Sequence, residues 1–301
     1  MSLDFREVTL KDKEWVEPLL RLDKRGSLEY SFTTTFVWRH VYAFHIARLD
    51  DYFLLRADPK DPSYLFPAGQ GALEPVIREL EKDARKAGKP LVFNTVLPDA
   101  KEKLEALFPG KFAFELWRDG ADYVYETNAL STLEGKKLAA KRNHIRRFLD
   151  NHPNWQYEPL SRDNLDDARR MNTVWCMQNG CSPDTGISDE YCAVESAIRH
   201  FDELELSGGL IRSEDRVVAF TIGDPLNEDT FLVHFEKAYA EIQGAYPMIN
   251  QQFVQHRCEL YPYVNREEDA GVEGLRRAKL SYNPVLLVEK YIATQKEPIF
   301  A

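Results

Sequence analysis

Apolar residues in this chain fall alternately at helical spacing and in short continuous runs, and that alternation occurs twice along its length. The sharpest instance is LEPVIRELEKDARKA, in which Leu73, Val76, Ile77, Leu80 and Ala84 share one helical face that Gly88 and Pro90 end. PLVFNTV follows at once as a buried strand. Before it come a strand-like segment at Leu3 to Val8, a helix over Lys11 to Asp23 and a strand at Tyr52 to Arg56. After it come a helix at Ala100 to Leu107 and a strand pair, Phe112 to Trp117 and Asp122 to Tyr125. The order returns in the second half. Helices are expected at Asp163 to Met177 and Glu190 to Leu206, and strands at Gly209 to Arg212, Val217 to Ile222 and Thr230 to Phe235. A helix from Met248 to Leu260, a short strand near Tyr263, a further helix and a last strand at Val285 to Tyr291 complete it. Alternation of this kind predicts an α/β (α+β) protein. With 301 residues, against the roughly 100–150 of a usual domain, it predicts two units, residues 1–130 and 131–301.

The 44% of hydrophobic residues supply a core for each unit, and the 29% that are charged supply a solvated surface. The amino terminus, MSLDFREVTLKDKEW, carries charge where a signal peptide needs an apolar run, and no stretch approaches the ~18–20 apolar residues of a membrane span. These features predict a cytoplasmic chain with no stable membrane insertion. Cys176, Cys181, Cys192 and Cys258 form no C-x-x-C pair and no zinc spacing, so reduced thiols and no metal site are expected. The net charge of −10 disfavours general adhesion to anions, so an anionic partner must use a local basic patch.

One such patch stands between the halves. In GKKLAAKRNHIRRFLD, residues 135–150, six of sixteen positions are Lys or Arg. Leu138, Ile145, Phe148 and Leu149 make an apolar stripe, and Lys137, Lys141, Arg142 and Arg146 are placed on the other side, either as a solvated face or as an anion site. A second candidate is the passage TFLVHFEKAYAEIQGAYPMINQQFVQH: a strand ending near Phe235, a small-residue turn at Gly244 and Ala245, and a helix opening at Tyr246 or Pro247, whose free N–H groups suit a phosphate. A third is VNREEDAGVEGLRRAKLSYNP, where Asp269, Gly271 and Gly274 stand beside Arg266, Arg276, Arg277 and Lys279. The chain has no G-x-S-x-G, Walker A loop, H-E-x-x-H or dinucleotide G-x-G-x-x-G. His234 and His256 are expected as packed or surface residues.

At these residues the chain resembles a known family. DYVYETNALSTLEGKKLAAKRNHIRRF, HFEKAYAEIQGAYPMINQQFV and VNREEDAGVEGLRRAKLSYNPVLLVEKY, with SFTTTFVWRH near the amino terminus, are similar to bacterial proteins grouped with the carboxyl-terminal domain of phosphatidylglycerol lysyltransferases. The resemblance implies two tandem GNAT-like (acyl-CoA N-acyltransferase) domains, each a mixed twisted sheet flanked by helices, related to Fem-type transferases that move aminoacyl groups from tRNA. It maps a central strand onto Phe231 to Glu236, a pyrophosphate turn onto Gln243 to Tyr246 and a helix onto Met248 onward. The usual acetyl-CoA turn carries Gln or Arg, then Gly, then Gly or Ala; here Glu241 and Tyr246 stand at its ends and Gly244 alone is kept, which points to a donor other than acetyl-CoA.

The function so implied is acyl or aminoacyl transfer from a phosphate-bearing donor, acyl-CoA or aminoacyl-tRNA, to an amine or hydroxyl, with no intrinsic cofactor. Glu236 or Asp269 would act as general base, and backbone N–H groups around Phe235, Glu236 and Lys237 would hold the oxyanion. Lys137, Lys141, Arg142, Arg146, Arg276 and Lys279, with the Gly244–Ala245–Tyr246 turn, would hold the donor's phosphates. A non-catalytic ligand- or partner-binding protein of the same fold, and an RNA binder using the basic segment, remain as alternatives. These motifs leave the oligomeric state open.

Overall fold

The computed structural model describes residues 3–22, 26–182 and 185–300. Asp23, where the first helix was expected to end, lies outside them. The chain forms two compact units, one of Met1–Asp122, Glu268–Gly271 and Leu287–Ala301, the other of Tyr123–Glu267 and Val272–Leu286.

The first unit holds β1 (Arg6–Glu7), α1 (Lys13–Leu22), α2 (Phe32–Val37), β2 (His45–Leu49), β3 (Tyr52–Ala57), β4 (Ser63–Leu65), β5 (Ala68–Gly69), α3 (Leu73–Lys86), β6 (Val92–Val96), α4 (Pro98–Leu107) and β7 (Phe112–Leu116). Its sheet runs β1-β2-β3-β4-β6, then one more strand described below, then β7, with β5 paired to β3. The face read from the sequence of α3 is the buried one: Val76, Ile77, Leu80 and Ala84 pack with Phe93, Val96, Leu104 and Phe112. Gly88, at φ +70°, turns the chain out of α3 while its N–H closes onto the carbonyl of Arg85.

The second unit holds β8 (Asp122–Glu126), α5 (Thr127–Thr132), α6 (Ala139–Asn151), β9 (Gln156–Pro159), α7 (Leu165–Gln178), α8 (Gly186–Arg199), β10 (Ser207–Ser213), β11 (Arg216–Pro225), β12 (Thr230–Ala238), α9 (Ala245–Phe253), β13 (Tyr263–Asn265), α10 (Glu273–Leu280) and β14 (Leu286–Val288). Its sheet is mixed, in the order β14-β8-β13-β12-β11-β10-β9. Strands β9 to β12 are antiparallel, and β12 runs parallel to β13.

The missing strand of the first sheet is β15 (Tyr291–Gln295), which lies antiparallel between β6 and β7. The division of the chain therefore differs from residues 1–130 and 131–301, because its last segment returns to the first unit. The anchor is Lys290, fully buried, whose ammonium lies 2.6 Å from Asp122 Oδ1 and 2.8 Å from Glu29 Oε1. Burial disfavours its charge, but Asp122, Glu29 and Glu268 more than compensate and hold the ammonium protonated. Because β15 fills the place beside β7, Phe112–Leu116 is not paired with Asp122–Glu126, and the strand pair expected there is split between two sheets. The segment Val285 to Tyr291 is likewise not one strand but the whole of β14 and the first residue of β15.

The cysteines also depart from expectation. Past α7, Gly180 takes φ +77° and the N–H of Cys181 bonds back to the carbonyl of Cys176, a left-handed helix cap that folds position 181 over 176. Cys176 and Cys181 are joined there as a disulfide, while Cys192 and Cys258 are free. Thr185 accepts the N–H of Ser188 and starts α8 at Gly186, four residues before the expected Glu190.

Candidate active site in the second unit

The site is organised by β12. Its ladder with β11 runs from Phe231 to Ala238 with one irregularity: Ile222 faces Phe235 and Gly223 faces Val233, so His234 is the extra residue of a β-bulge. Gly223 is needed there, since a Cβ would stand 2.2 Å from the carbonyl oxygen of Leu232. On its other edge β12 pairs with β13 over only Thr230, Phe231 and Leu232, after which the two parallel strands part. Glu236 and the residues following β13 occupy this fork.

His234 is buried between two carboxylates, Asp224 Oδ1 at 2.9 Å from Nε2 and Glu267 Oε1 at 3.0 Å from Nδ1. Burial alone would favour the neutral ring, but the two carboxylates outweigh it and push the imidazolium up to about 10. The expectation of a packed histidine holds for its burial and misses its charge. Glu267 has φ +57° and donates its N–H to Asn265 Oδ1 at 2.8 Å. That left-handed residue is thus fixed from both sides, and it directs the preceding Arg266 inward.

Arg266 is the centre of the cluster. Its Nη2 donates to Glu236 Oε1 at 2.8 Å, and its guanidinium lies 4.6 Å from the Tyr282 ring and 5.7 Å from that of Tyr125. Asn250, from α9, donates Nδ2 to the other oxygen of Glu236 at 2.9 Å. Two buried atoms are left without a hydrogen-bond partner here, Arg266 Nη1 and Asn250 Oδ1. A buried donor and a buried acceptor beside one carboxylate are costly unless something else engages them. Lys141 joins from α6 with its ammonium 4.0 Å from the Tyr282 ring centre. Burial, then the Arg266 charge, lower its pKa, Glu236 opposes them, and the result is about 8.

The residues singled out in the sequence separate into several groups. Glu236 and Lys141 belong to this cluster. Lys279 supports it, since its Nζ donates to the Arg266 carbonyl at 2.6 Å. Lys237 is buried, paired with Glu190 and 3.6 Å over the Trp175 ring; burial lowers its pKa and Glu190 opposes that. Tyr246 accepts from Trp175 Nε1 at 3.3 Å, and Phe235 accepts from Thr221 Oγ1 at 2.9 Å. Asp269 belongs to the first unit, where it is buried, accepts from Gly271 N–H at 2.9 Å and pairs with Arg118 at 3.4 Å. Arg142 donates to the carbonyls of Leu133 and Gly135, where it secures the end of α5. Gly244 has φ +88°, and the side where its Cβ would stand is taken by the carbonyl of His144 on α6, at 2.2 Å. The glycine is thus required for packing of α6 against the turn. Ala245 is buried and gives its N–H to Ile242. Lys137, in the turn before α6, and Arg146, on α6, are exposed and make no ion pair among the described residues; Arg276 is half-buried on α10.

Arg266, Asn250 and Tyr282 were not assigned roles from the sequence. Asn250 and Glu236 meet only because α9 folds back on β12. Lys141 did have a signal, since Leu138, Lys141, Ile145 and Phe148 follow a three-four-three spacing that puts the lysine on the buried stripe of α6.

A seven-stranded mixed sheet that forks beside its central strand, in a chain with two such α/β units, is a tandem GNAT architecture. A tandem GNAT protein from the clavulanic acid biosynthesis pathway superposes at a TM-score of 0.52, 10% identical, over 99% of each chain. FemX superposes at 0.63, 12% identical, over 96% of each chain. Within that class the chain belongs to the phosphatidylglycerol lysyltransferase, C-terminal, family, whose model matches residues 21–294. A Bacteroides thetaiotaomicron protein of unknown function is similar at 39% identity and TM-score 0.93, over 98% of this chain and 100% of that one. The C-terminal domain assigned to a lysylphosphatidylglycerol synthetase of Agrobacterium fabrum is similar at 14% identity and TM-score 0.67, over 95% and 93%. A curated Mycoplasmoides gallisepticum protein is 22% identical over 57% of this chain, and the match spans about half of that protein, 55%. Among the described residues no helix is long and apolar enough to cross a membrane.

Proposed function

We propose that the second unit transfers an acyl or aminoacyl group from a phosphate-bearing donor, acyl-CoA or aminoacyl-tRNA, to an amine or hydroxyl. The observation that carries this reading is the pair of buried, unpartnered atoms, Arg266 Nη1 and Asn250 Oδ1, at the fork of β12 and β13. When an acceptor attacks the donor carbonyl, the carbonyl oxygen gains negative charge, and Arg266 Nη1 donates to it. Asn250 Oδ1 accepts a hydrogen of the incoming amine or hydroxyl and so orients its lone pair. Glu236, with both oxygens engaged, acts by holding Arg266 and Asn250 rather than as a free base. The exposed Lys137 and Arg146 bind the donor's phosphates. The name of the family supports an aminoacyl group, and the Glu241 and Tyr246 departures support a donor other than acetyl-CoA.

A second reading, a non-catalytic ligand-binding protein, is favoured by one observation: α6 occupies the Gly244 turn that would cradle a pyrophosphate. Calorimetric titration with acetyl-CoA, longer acyl-CoAs, and charged and uncharged tRNA separates the two. Saturable binding of one donor with preference for its acylated form supports transfer; equal binding of acylated and deacylated forms supports the binding protein.

A further inference from the structure

Of the lysines around Glu236, Lys279 is engaged by the carbonyl of Arg266, and Lys237, next to Glu236 on β12, is engaged by Glu190. Lys141 has no hydrogen bond or ion pair among the described residues. Its side chain reaches the cluster because its backbone sits on the buried stripe of α6 between Leu138 and Ile145, both buried. The groups that face it are the Tyr282 ring, the Arg266 guanidinium and the Glu236 carboxylate, with Arg142 next to it on its own helix and Lys137 just before that helix. The carboxylate is already divided between Arg266 and Asn250. An amine held against an aromatic face, beside a fixed cation and without a carboxylate of its own, is the arrangement that makes a lysine nucleophilic.

We propose that Lys141 is a self-acylation site that takes acyl groups from activated acyl compounds such as thioesters and acyl phosphates. The neutral Nζ attacks the acyl carbon and an N–C bond forms. The bond from that carbon to sulfur or oxygen breaks, the leaving group departs with the electron pair, and one proton passes from nitrogen to solvent or to the leaving group. The product is an uncharged amide over Tyr282. It rests on the transferase reading only in placing the carbonyl oxygen at Arg266 Nη1. Acylation removes one positive charge from the cluster and fills the space in front of Arg266, so the acylated protein is blocked toward a donor.

The test uses the full chain with N,S-diacetylcysteamine, an acetyl thioester that carries no phosphate, and maps acetylated lysines by peptide mass spectrometry over time. At pH 7.5 a pKa of about 8 gives a neutral fraction on the order of a hundredfold above that of an ordinary lysine. The lower basicity returns about one order of magnitude of that. Lys141 is therefore expected to acetylate on the order of tenfold faster than Lys136 and Lys137, with a rate that levels off above about pH 8. Lys141→Arg removes this site and leaves the other lysines unchanged. Acetylation of Lys141 no faster than that of Lys137, or a rate still climbing at pH 10, overturns the proposal. A silent donor titration would remove the transferase reading and leave this result standing, because the probe needs no phosphate site.

Discussion

Replacing His234 by Gln leaves Asp224 and Glu267 facing each other in the interior without the cation between them. In the folded protein the imidazolium titrates at about 10, against 6.5 for a free histidine. A folded pKa above the unfolded value means stability that is fully present below pH 6.5 and lost progressively as pH rises toward 10. The shift corresponds to about 5 kcal/mol. The assay is urea unfolding of wild type and His234→Gln at pH 6, 8 and 10, with the difference taken at each pH so that other titrations cancel. The expected gap is several kcal/mol at pH 6 and shrinks by most of its size by pH 10. Because Glu267 then loses its anchor and Arg266 its direction, near-ultraviolet dichroism of Tyr282 and Tyr125 should change in the variant. A gap that is the same at pH 6 and pH 10 would refute the charged-histidine account of the bulge.

Other substitutions test the remaining assignments. Gly244→Ala puts a Cβ against the His144 carbonyl at a positive φ, and should lower stability by more than about 2 kcal/mol in the same unfolding assay. Arg142→Ala removes the bonds to Leu133 and Gly135, so it should lower stability by on the order of 1 kcal/mol and leave donor affinity unchanged; weaker binding with full stability would return Arg142 to the phosphate site. Lys137→Glu with Arg146→Glu should leave stability within about 0.5 kcal/mol and, if the donor is an RNA, lower the slope of log affinity against log salt by about two.

The elements that could be read from the sequence are those whose signal is local. The stripe of α3 and the apolar run of β12 state their own burial, and the residues of both units follow the expected order of helices and strands. The class of fold and the family could be read as well, from three motifs between Asp122 and Tyr291 and a fourth, SFTTTFVWRH, near the amino terminus. What could not be read is set by distance along the chain. Lys290 joins Asp122 and Glu29 across 168 and 261 positions, and no periodicity announces that the last strand leaves its neighbours for the first sheet. The same holds at the site: Glu236 was singled out, but its partners Asn250 and Arg266 meet it only through the fold of α9 and the left-handed Glu267. Asp269 was read, like Glu236, as a candidate general base; the chain carries it into the first unit, where Arg118 and Gly271 engage it. Lys141 was legible and was assigned to the wrong face. Counting basic residues by charge put it with Arg142 and Arg146, while the three-four-three spacing with Leu138, Ile145 and Phe148 sets it half-buried on the stripe those three make.

In the proposed reaction Arg266, held by Glu236 in the fork of β12, stabilises charge on a donor carbonyl. This role is tested most directly by the rate at which acyl-CoAs and aminoacyl-tRNAs lose their acyl group to hydroxylamine, with wild type and with Arg266→Lys of verified fold. The account predicts that wild type accelerates the loss for at least one donor and that the variant is slower by on the order of a hundredfold. Equal rates with wild type, with the variant and without protein, across all donors, would contradict it.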